Sequence, residues 1–326
     1  MTRNLFSKLI ALTAGIILLI VAYNHNQKSL YEISGTAYGT RWSITSTEYI
    51  SDLHKNNIIS IINRIDYVAS NYKKDSEIAV INFSPKNNFK ISNDLLNILT
   101  IAKDVEESSN GFYNIMMAKV SSQLGFSPNF NNTLNQTNIS SYNIDTQNLI
   151  LSRDSSNWFD LSSIAKGYAV QCIHNYLKEN NMNNHLIDIG GEIIINGKNI
   201  DDNWKVGIQD PSYMNNKALK IITNDNSSFL AIATSGEYRN FKIGDNGNKV
   251  SHTINPKTLQ SINNKILSVT VLHESSATYA DAYATAFNAM GYKQAFVKSN
   301  ELNVASMFVL NNDEIVYSNK WYDLVR

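Results

Sequence analysis

Cysteine is nearly absent: Cys172 is the single one among 326 residues. That excludes an intramolecular disulfide framework and any zinc site built from several thiolates. Cys172 itself reads as a small buried hydrophobe in a helical stretch, with no nucleophilic role. Four prolines and 14 glycines exclude collagen-like and proline-rich repeats. Charge is scarce and balanced, with 17% of residues charged and 28 basic side chains against 28 acidic ones. A neutral total offers no broad phosphate-neutralising surface, which argues against nucleic acid as a partner. No internal repeat is visible. What is present is an apolar fraction of 43%, enough at this length for one large core or two smaller ones and too high for a disordered chain. Asparagine is frequent, in runs such as Asn183-Asn184 and Asn263-Asn264, and fills polar surface.

At the N-terminus, Arg3 and Lys8 precede an uncharged, mostly apolar run over residues 9–23. Its length lies between a signal-peptide core and a comfortable membrane span. The exit, Val21-Ala22-Tyr23-Asn24, has no clear pair of small residues for signal peptidase and no cysteine to take a lipid. An uncleaved anchor over 1–23 is the expectation, a cleaved signal the alternative, and a buried core helix a third reading. Basic residues ahead of the run keep that end cytoplasmic, so anchor and signal alike place the remainder outside the bacterial inner membrane. Residues 24–33 read as a polar tether, and 34–326 as the folded domain.

Beyond the tether, residues 38–45 read as a strand at a hairpin edge, entered by Gly35 and Gly39, with Trp42 and Ile44 on one side. Ile58, Ile61, Ile62, Ile65 and Val68 follow helical spacing, and a second helix starts near Leu95 behind a Ser92-Asn93 cap. The stretch 127–148 is rich in Asn, Ser and Thr and reads as an exposed insertion. A helix over 163–177 is followed by strands at 185–189, 192–195, 204–209, 229–233, 239–243 and 266–272. A helix over 277–290 ends at Gly291. Hairpins with interspersed helices predict an α+β fold of mixed, largely antiparallel sheets with flanking helices, and not a doubly wound parallel sheet.

Several segments carry chemistry. Asp281 and Thr285 stand one helical turn apart in an Ala-rich helix, so both oxygens share a face. Hard oxygen ligands that leave positions open suit Mg²⁺ held also by substrate phosphates; a solvated Asp and a back-bonded Thr are the plainer explanation. In Asp160-Leu161-Ser162-Ser163-Ile164-Ala165-Lys166-Gly167-Tyr168-Ala169, small residues lead into a helix start with Lys166 one turn in, an arrangement open to anions or merely capped by Ser162. Gly190-Gly191-Glu192 between two strands permits a tight turn or a close backbone approach. His252, at a strand exit before Thr253-Ile254-Asn255-Pro256, has a pKa suited to proton transfer, though most histidines are surface or satisfied core groups. Residues 233–237 form a small-residue turn after a strand.

In this order, the pieces resemble the ApbE-like FAD:protein FMN transferases, from about Gly35 to Gly291. Gly35-Thr36-Ala37-Tyr38-Gly39-Thr40 resembles the family's Gly-Thr-x-Met-Gly-Thr opening, and residues 71–77 its Thr-Tyr-x-x-Asp-Ser-Glu. Gly111-Phe112-Tyr113-Asn114 is similar to Gly-Ala-Phe-Asp, and residues 160–169 to Asp-Leu-Gly-Gly-Ile-Ala-Lys-Gly-Tyr-Ala, the most specific signature. Residues 189–192, 204–211, 234–239 and 252–256 follow in family order, and 280–285 resembles Ala-Asp-Ala-x-Ala-Thr.

The resemblance implies an ApbE-like (T-fold-like) fold. It also implies a Mg²⁺-dependent enzyme that takes FAD as substrate, transfers its FMN half to a Thr or Ser hydroxyl of an exported acceptor protein, and releases AMP. Asp281, Thr285 and the Ser163 carbonyl would hold the metal. Asp160, Lys166, Ile254 and the strip Phe112, Tyr113, Asn114 would contact FAD, with Tyr38 and Tyr72 lining its pocket. His252 would contact FAD and act as general base. Acceptors implied are membrane redox-pump subunits or other exported flavoproteins with a Ser/Thr-x-Ala-Thr-like motif. Departures from the pattern are Tyr38 for Met, Asn114 for Asp, Ser162-Ser163 for two glycines and Asn255 for Asp. FAD pyrophosphatase and a non-catalytic flavin-binding protein are the competing readings. Ser275-Ser276-Ala277-Thr278 itself spells an acceptor motif, but its place at a helix start argues against self-modification.

Overall fold

Two short turns set the pattern of the main sheet in the computed structural model, which describes residues 2–26, 29–128, 138–212, 217–225, 228–236, 241–243 and 249–325. Tyr38 (φ 53°) and Gly39 (φ 73°) close β1 (Tyr31–Ala37) onto β2 (Thr40–Ser46). Positive φ at both positions gives a two-residue turn whose twist matches the strands it joins. Gly190 (φ 63°) and Gly191 (φ 101°) do the same between β3 (His185–Ile189) and β4 (Glu192–Asn196). The sheet continues through β5 (Phe229–Gly236), β6 (Ile266–His273), β7 (Ala305–Leu310) and β8 (Ile315–Tyr317). Spatial order equals chain order, and every neighbouring pair is antiparallel.

Helices occupy the connections. α1 (Thr2–Asn26) precedes the sheet; α2 (Asp52–Ala69), α3 (Asn93–Ser108) and α4 (Ala165–Glu179) lie between β2 and β3; α5 (Ala277–Met290) lies between β6 and β7. Ser51 caps α2 by accepting from the His54 N–H, and Ser92 caps α3 by accepting from Leu95 N–H. Each cap satisfies a donor that the first helical turn leaves without a partner. The Glu77 carboxylate secures the second cap, accepting from the N–H and Oγ–H of Ser92 at 2.7 and 2.6 Å. Ile58, Ile62 and Ile65 of α2 and Leu95, Ile98 and Leu99 of α3 join Trp42 and Ile44 of β2 in one core. Burying each such side chain contributes about 1.5–3 kcal/mol relative to leaving it in water. A second core, including Trp204, Leu230, Ile232, Met307 and Trp321, involves the hairpin Lys205–Gln209 with Ala218–Thr223. β7, buried along its whole length, lies between the two.

The α+β class and antiparallel sheet agree with the reading of the sequence; several boundaries differ. Tyr38 is in the turn and not in a strand, and residues 31–33, read as tether, begin β1. Within 127–148, Asn143–Asp145 pairs with Ile150–Ser152 and Tyr142 is buried, so that end belongs to the fold; residues 129–137 lie outside the described residues. β5 runs on to Gly236 where a turn was expected, because β6 pairs with it that far. The strand expected at 239–243 is Phe241–Ile243, with 237–240 outside the described residues. Leu12, Leu18 and Leu19 on α1 are exposed, which removes the core-helix reading. Among the described residues no helix is long and apolar enough to cross a membrane.

Candidate active site

The site is built where α4 crosses α5. A Cβ on Gly167 would lie 2.5 Å from the Ala277 carbonyl oxygen and 2.7 Å from Asp281 Cβ. Only glycine lets the helices approach this closely. At the crossing, Gly167 N–H donates to Asp281 Oδ2 at 2.9 Å, so the positive end of α4 meets a buried carboxylate. Beside it, Lys166 Nζ donates to Glu192 Oε2 at 2.5 Å, and Glu192 directly follows the Gly190-Gly191 turn. Asp188 Oδ1 fixes that turn by accepting from Gly191 N–H at 2.8 Å.

Burial pushes the Asp281 carboxyl well above the usual range, and the nearby Glu192 adds to the shift against Lys166 and the Gly167 N–H. Glu192 is also raised, again by burial first. Burial pulls the Lys166 ammonium down, yet Glu192 and Asp281 together hold it above its ordinary value. Two buried carboxylates thus face one ammonium, an excess of negative charge that a hard divalent cation would offset. Thr285 and Ser163 line the same cleft and add neutral oxygens, so the donor set fits Mg²⁺. No group of three or more His, Cys, Asp or Glu among the described residues is arranged to hold a metal, so a cation here would need neutral oxygens beside carboxylate.

The cleft measures about 270 Å³ and brings together Asn114, Asp160, Ser163, Lys166, His252, Ile254, Asp281 and Thr285. An adjoining hollow of about 150 Å³ is lined by Tyr38, Tyr72 and Phe126 and shares Asp160, Ser162 and Lys166 with it. The Tyr38 hydroxyl donates to the Ile62 carbonyl at 2.7 Å, and that of Tyr72 to the Phe126 carbonyl at 3.1 Å. Both rings are therefore held at the rim by their hydroxyls. His252 lies between Lys249–Ser251 and Ile254–Asn255, with its ring 6.2 Å from that of Phe126 in an edge-on arrangement.

Other candidates have different work. Phe112 and Tyr113 line neither hollow: Tyr113 is buried with its hydroxyl 3.0 Å from Ser163 Oγ, while Lys257 Nζ sits 4.1 Å from the centre of the Phe112 ring. Tyr113 thus steadies Ser163. The Asn114 amide donates to Glu106 at 2.7 Å and its oxygen accepts from Met116 N–H at 2.8 Å. Asp160 accepts from Ser162 N–H at 3.0 Å and from Ser127 Oγ–H at 2.9 Å. Ser162 is not the cap of α4, since Ile164 occupies that position. The Asn255 side chain accepts from Lys257 N–H and so closes its own turn. Glu192 and Gly167 were not singled out as site residues from the sequence; a carboxylate directly after Gly-Gly and a glycine after Lys166 were the available signals. Thr234, Ser235 and Gly236 also line the cleft.

Fold and site define a class: an α+β protein with an antiparallel sheet, whose cleft sets a helix-borne carboxylate and hydroxyl against a lysine and a histidine. Residues 38–308 match the model of the ApbE family, and the chain belongs to that family. A relative from Haemophilus influenzae named FAD:protein FMN transferase, an enzyme, is 28% identical over 95% of this chain and 94% of its own length. One of the same name from Vibrio cholerae is 29% identical over 91% of this chain and 92% of its own. The solved flavin transferase ApbE from Vibrio cholerae superposes with a TM-score of 0.79 at 26% identity, covering 91% of this chain and 99% of that one. The apo flavinyl transferase ApbE of Pseudomonas stutzeri, at 22% identity and TM-score 0.79, shares the fold.

Proposed function

We propose that this protein is an FAD:protein FMN transferase that moves FMN from FAD to a Thr or Ser hydroxyl of an exported acceptor and releases AMP. The observation that carries the reading is the crossing at Gly167, which buries Asp281 beside Lys166 and Glu192 in one cleft with Thr285 and His252. The reaction forms a bond from the acceptor oxygen to the FMN phosphorus and breaks the pyrophosphate P–O bond, whose electron pair leaves with AMP. His252 takes the hydroxyl proton as the oxygen attacks. Lys166, held from behind by Glu192, places a positive charge at the pyrophosphate. Asp281, Thr285 and the Ser163 carbonyl would hold Mg²⁺, which supplies charge neutralisation at the pyrophosphate when bound. The hollow between Tyr38 and Tyr72 offers flat rings to a planar ring system of FAD.

Placement of the domain on the extracytoplasmic face of the bacterial cytoplasmic membrane is part of this reading: α1 exposes an apolar surface over a length closer to a signal-peptide core than to a full membrane span, which favours a cleaved signal over an anchor. A Ser/Thr-x-Ala-Thr-like acceptor, such as a subunit of a membrane redox pump, fits that location. The test is incubation with FAD and Mg²⁺, with and without a peptide containing that motif, reading AMP release and intact mass. FMN mass on the peptide, dependent on Mg²⁺, is the expected result. Release of AMP and free FMN without any labelled peptide would instead identify a pyrophosphatase.

A further inference from the structure

β5 is paired unequally along its two edges. β6 runs beside it from residue 231 to residue 236, whereas β4 pairs with it only from residue 229 to residue 232. Residues 233–236 therefore have a strand on one side, and among the described residues none on the other. The reason is local: β4 begins at Glu192, where the Gly190-Gly191 turn reverses the chain. An antiparallel strand directs its N–H and C=O groups alternately to its two sides. About half of those in residues 233–236 therefore point away from β6, to the side β4 has vacated. That side is the cleft, whose lining includes Thr234, Ser235 and Gly236 together with Gly190, His252 and Asp281.

The side chains here are already engaged. Thr234 Oγ1 is 2.9 Å from Thr270 Oγ1, and Ser235 Oγ accepts from the Asn288 amide at 3.3 Å. What the edge offers a ligand is backbone, and an open row of backbone donors and acceptors is complementary to another extended chain. Glycines at 190, 191 and 236 leave little side-chain relief beside it, a space for small residues.

We infer that the acceptor protein docks by adding an extended, small-residue segment as a strand along residues 233–236 of β5, in line with β4. The inference rests on the transferase reading and specifies how its protein substrate is held. An added strand lies within the cleft that contains His252, Lys166 and Asp281, and strand pairing fixes its register. The two hydroxyl-bearing ends of a Ser/Thr-x-Ala-Thr-like segment are three positions apart, an odd number, and so face opposite sides of the sheet. This explains how one threonine is selected from a motif that also contains serine.

The test uses the full chain in detergent with FAD, Mg²⁺ and two short synthetic peptides, one containing Ser-Gly-Ala-Thr and an unreactive one with Val in place of Thr. Single backbone amides of each are N-methylated in turn. Binding of the Val peptides is read by fluorescence anisotropy, and flavin transfer to the Thr peptides by mass. Strand addition requires an alternating pattern: methylation at every second amide weakens binding about tenfold, and the amides between tolerate it. Hydrogen exchange at residues 233–236 slows when the Val peptide binds. Transfer that is indifferent to which amide is methylated overturns strand docking and leaves the transferase reading standing. Alternating binding without any transfer retains the docking and overturns the transferase reading. A peptide that neither binds nor reacts overturns both. Protection of residues 233–236 by FAD alone, with none added by the peptide, assigns the edge to the nucleotide and overturns the inference.

Discussion

Gly167→Ala is the sharpest probe of the helix crossing, because two effects of known sign oppose each other. Alanine is favoured over glycine inside a helix by about 1 kcal/mol, so on local grounds the substitution stabilises. At this position the new Cβ would meet the Ala277 oxygen at 2.5 Å, and ordinary contact begins at 3.4 Å, so something must yield by about 0.9 Å. The nearest obstacles are backbone and a Cβ, and neither can rotate away. Overpacking of this kind costs about 1–3 kcal/mol. Separating α4 from α5 also lengthens the 2.9 Å hydrogen bond from Gly167 to Asp281, worth roughly another 1 kcal/mol. The balance is a net loss of about 1–3 kcal/mol, or roughly 2–5 °C in melting temperature for a domain of this size. Activity should fall further, about a hundredfold, since Asp281 is displaced by nearly 1 Å relative to Lys166. Thermal melting and Mg²⁺-dependent AMP release on the same preparation check both. A variant that melts higher than the parent and keeps full turnover would show that the helices do not touch as described.

Asp281→Ala and Thr285→Ala should each abolish Mg²⁺-dependent AMP release while the protein still folds; for Asp281→Ala the relief of a buried carboxylate whose burial disfavours its charge offsets the loss of its hydrogen bond from Gly167 N–H, so the melting temperature changes by only a few degrees; near-parental turnover at low Mg²⁺ would remove both from the ligand set. His252→Ala should slow transfer to protein by about 10²–10⁴-fold and leave FAD affinity within a few-fold; weaker FAD binding at an unchanged rate would make His252 a contact for the nucleotide only. Burial pushes His174 down to about 3 and His185 to about 4, so both imidazoles are neutral in the fold and titrate near 6.5 when unfolded. Their contribution is therefore complete above pH 6.5 and is lost as pH falls from there, toward 4 for His185 and toward 3 for His174, by up to ~1.4 kcal/mol per pH unit for each. Denaturant melts of His174→Leu should show a shallower loss over that window, and an unchanged slope would refute the assignment. Thr278 is 1% exposed within the first turn of α5, so prolonged incubation with FAD and Mg²⁺ should add no FMN mass to this chain; an adduct absent from Thr278→Val would contradict this.

Patterns that depend on near neighbours in the chain were legible before any coordinates. The apolar spacing of α2 and α3, the Ser92 cap, the run 185–189 and the full extent of α5 all follow from periodicity and hydrogen bonds within a few residues, which the local sequence carries in full. Motif order likewise pointed to Asp281, Thr285, Lys166 and His252, and the structure brings these four, from three separate segments, to one cleft. Other features were decided only by segments distant in sequence. Tyr38 was read as the first residue of a strand over 38–45, but pairing of Ala37 with Thr40 placed it in the turn at φ 53°. Phe112 and Tyr113 shared a motif with Asn114, yet the packing of the α-helical layer buried Tyr113 beneath Ser163 and left Asn114 alone to face the cleft. Glu192 looked like the end of a hairpin until Lys166, from a different element, was found 2.5 Å away. Periodicity reports which face of an element is apolar; which carboxylate meets which ammonium depends on how closely two helices and a hairpin approach, and here that distance is set by the missing Cβ of Gly167.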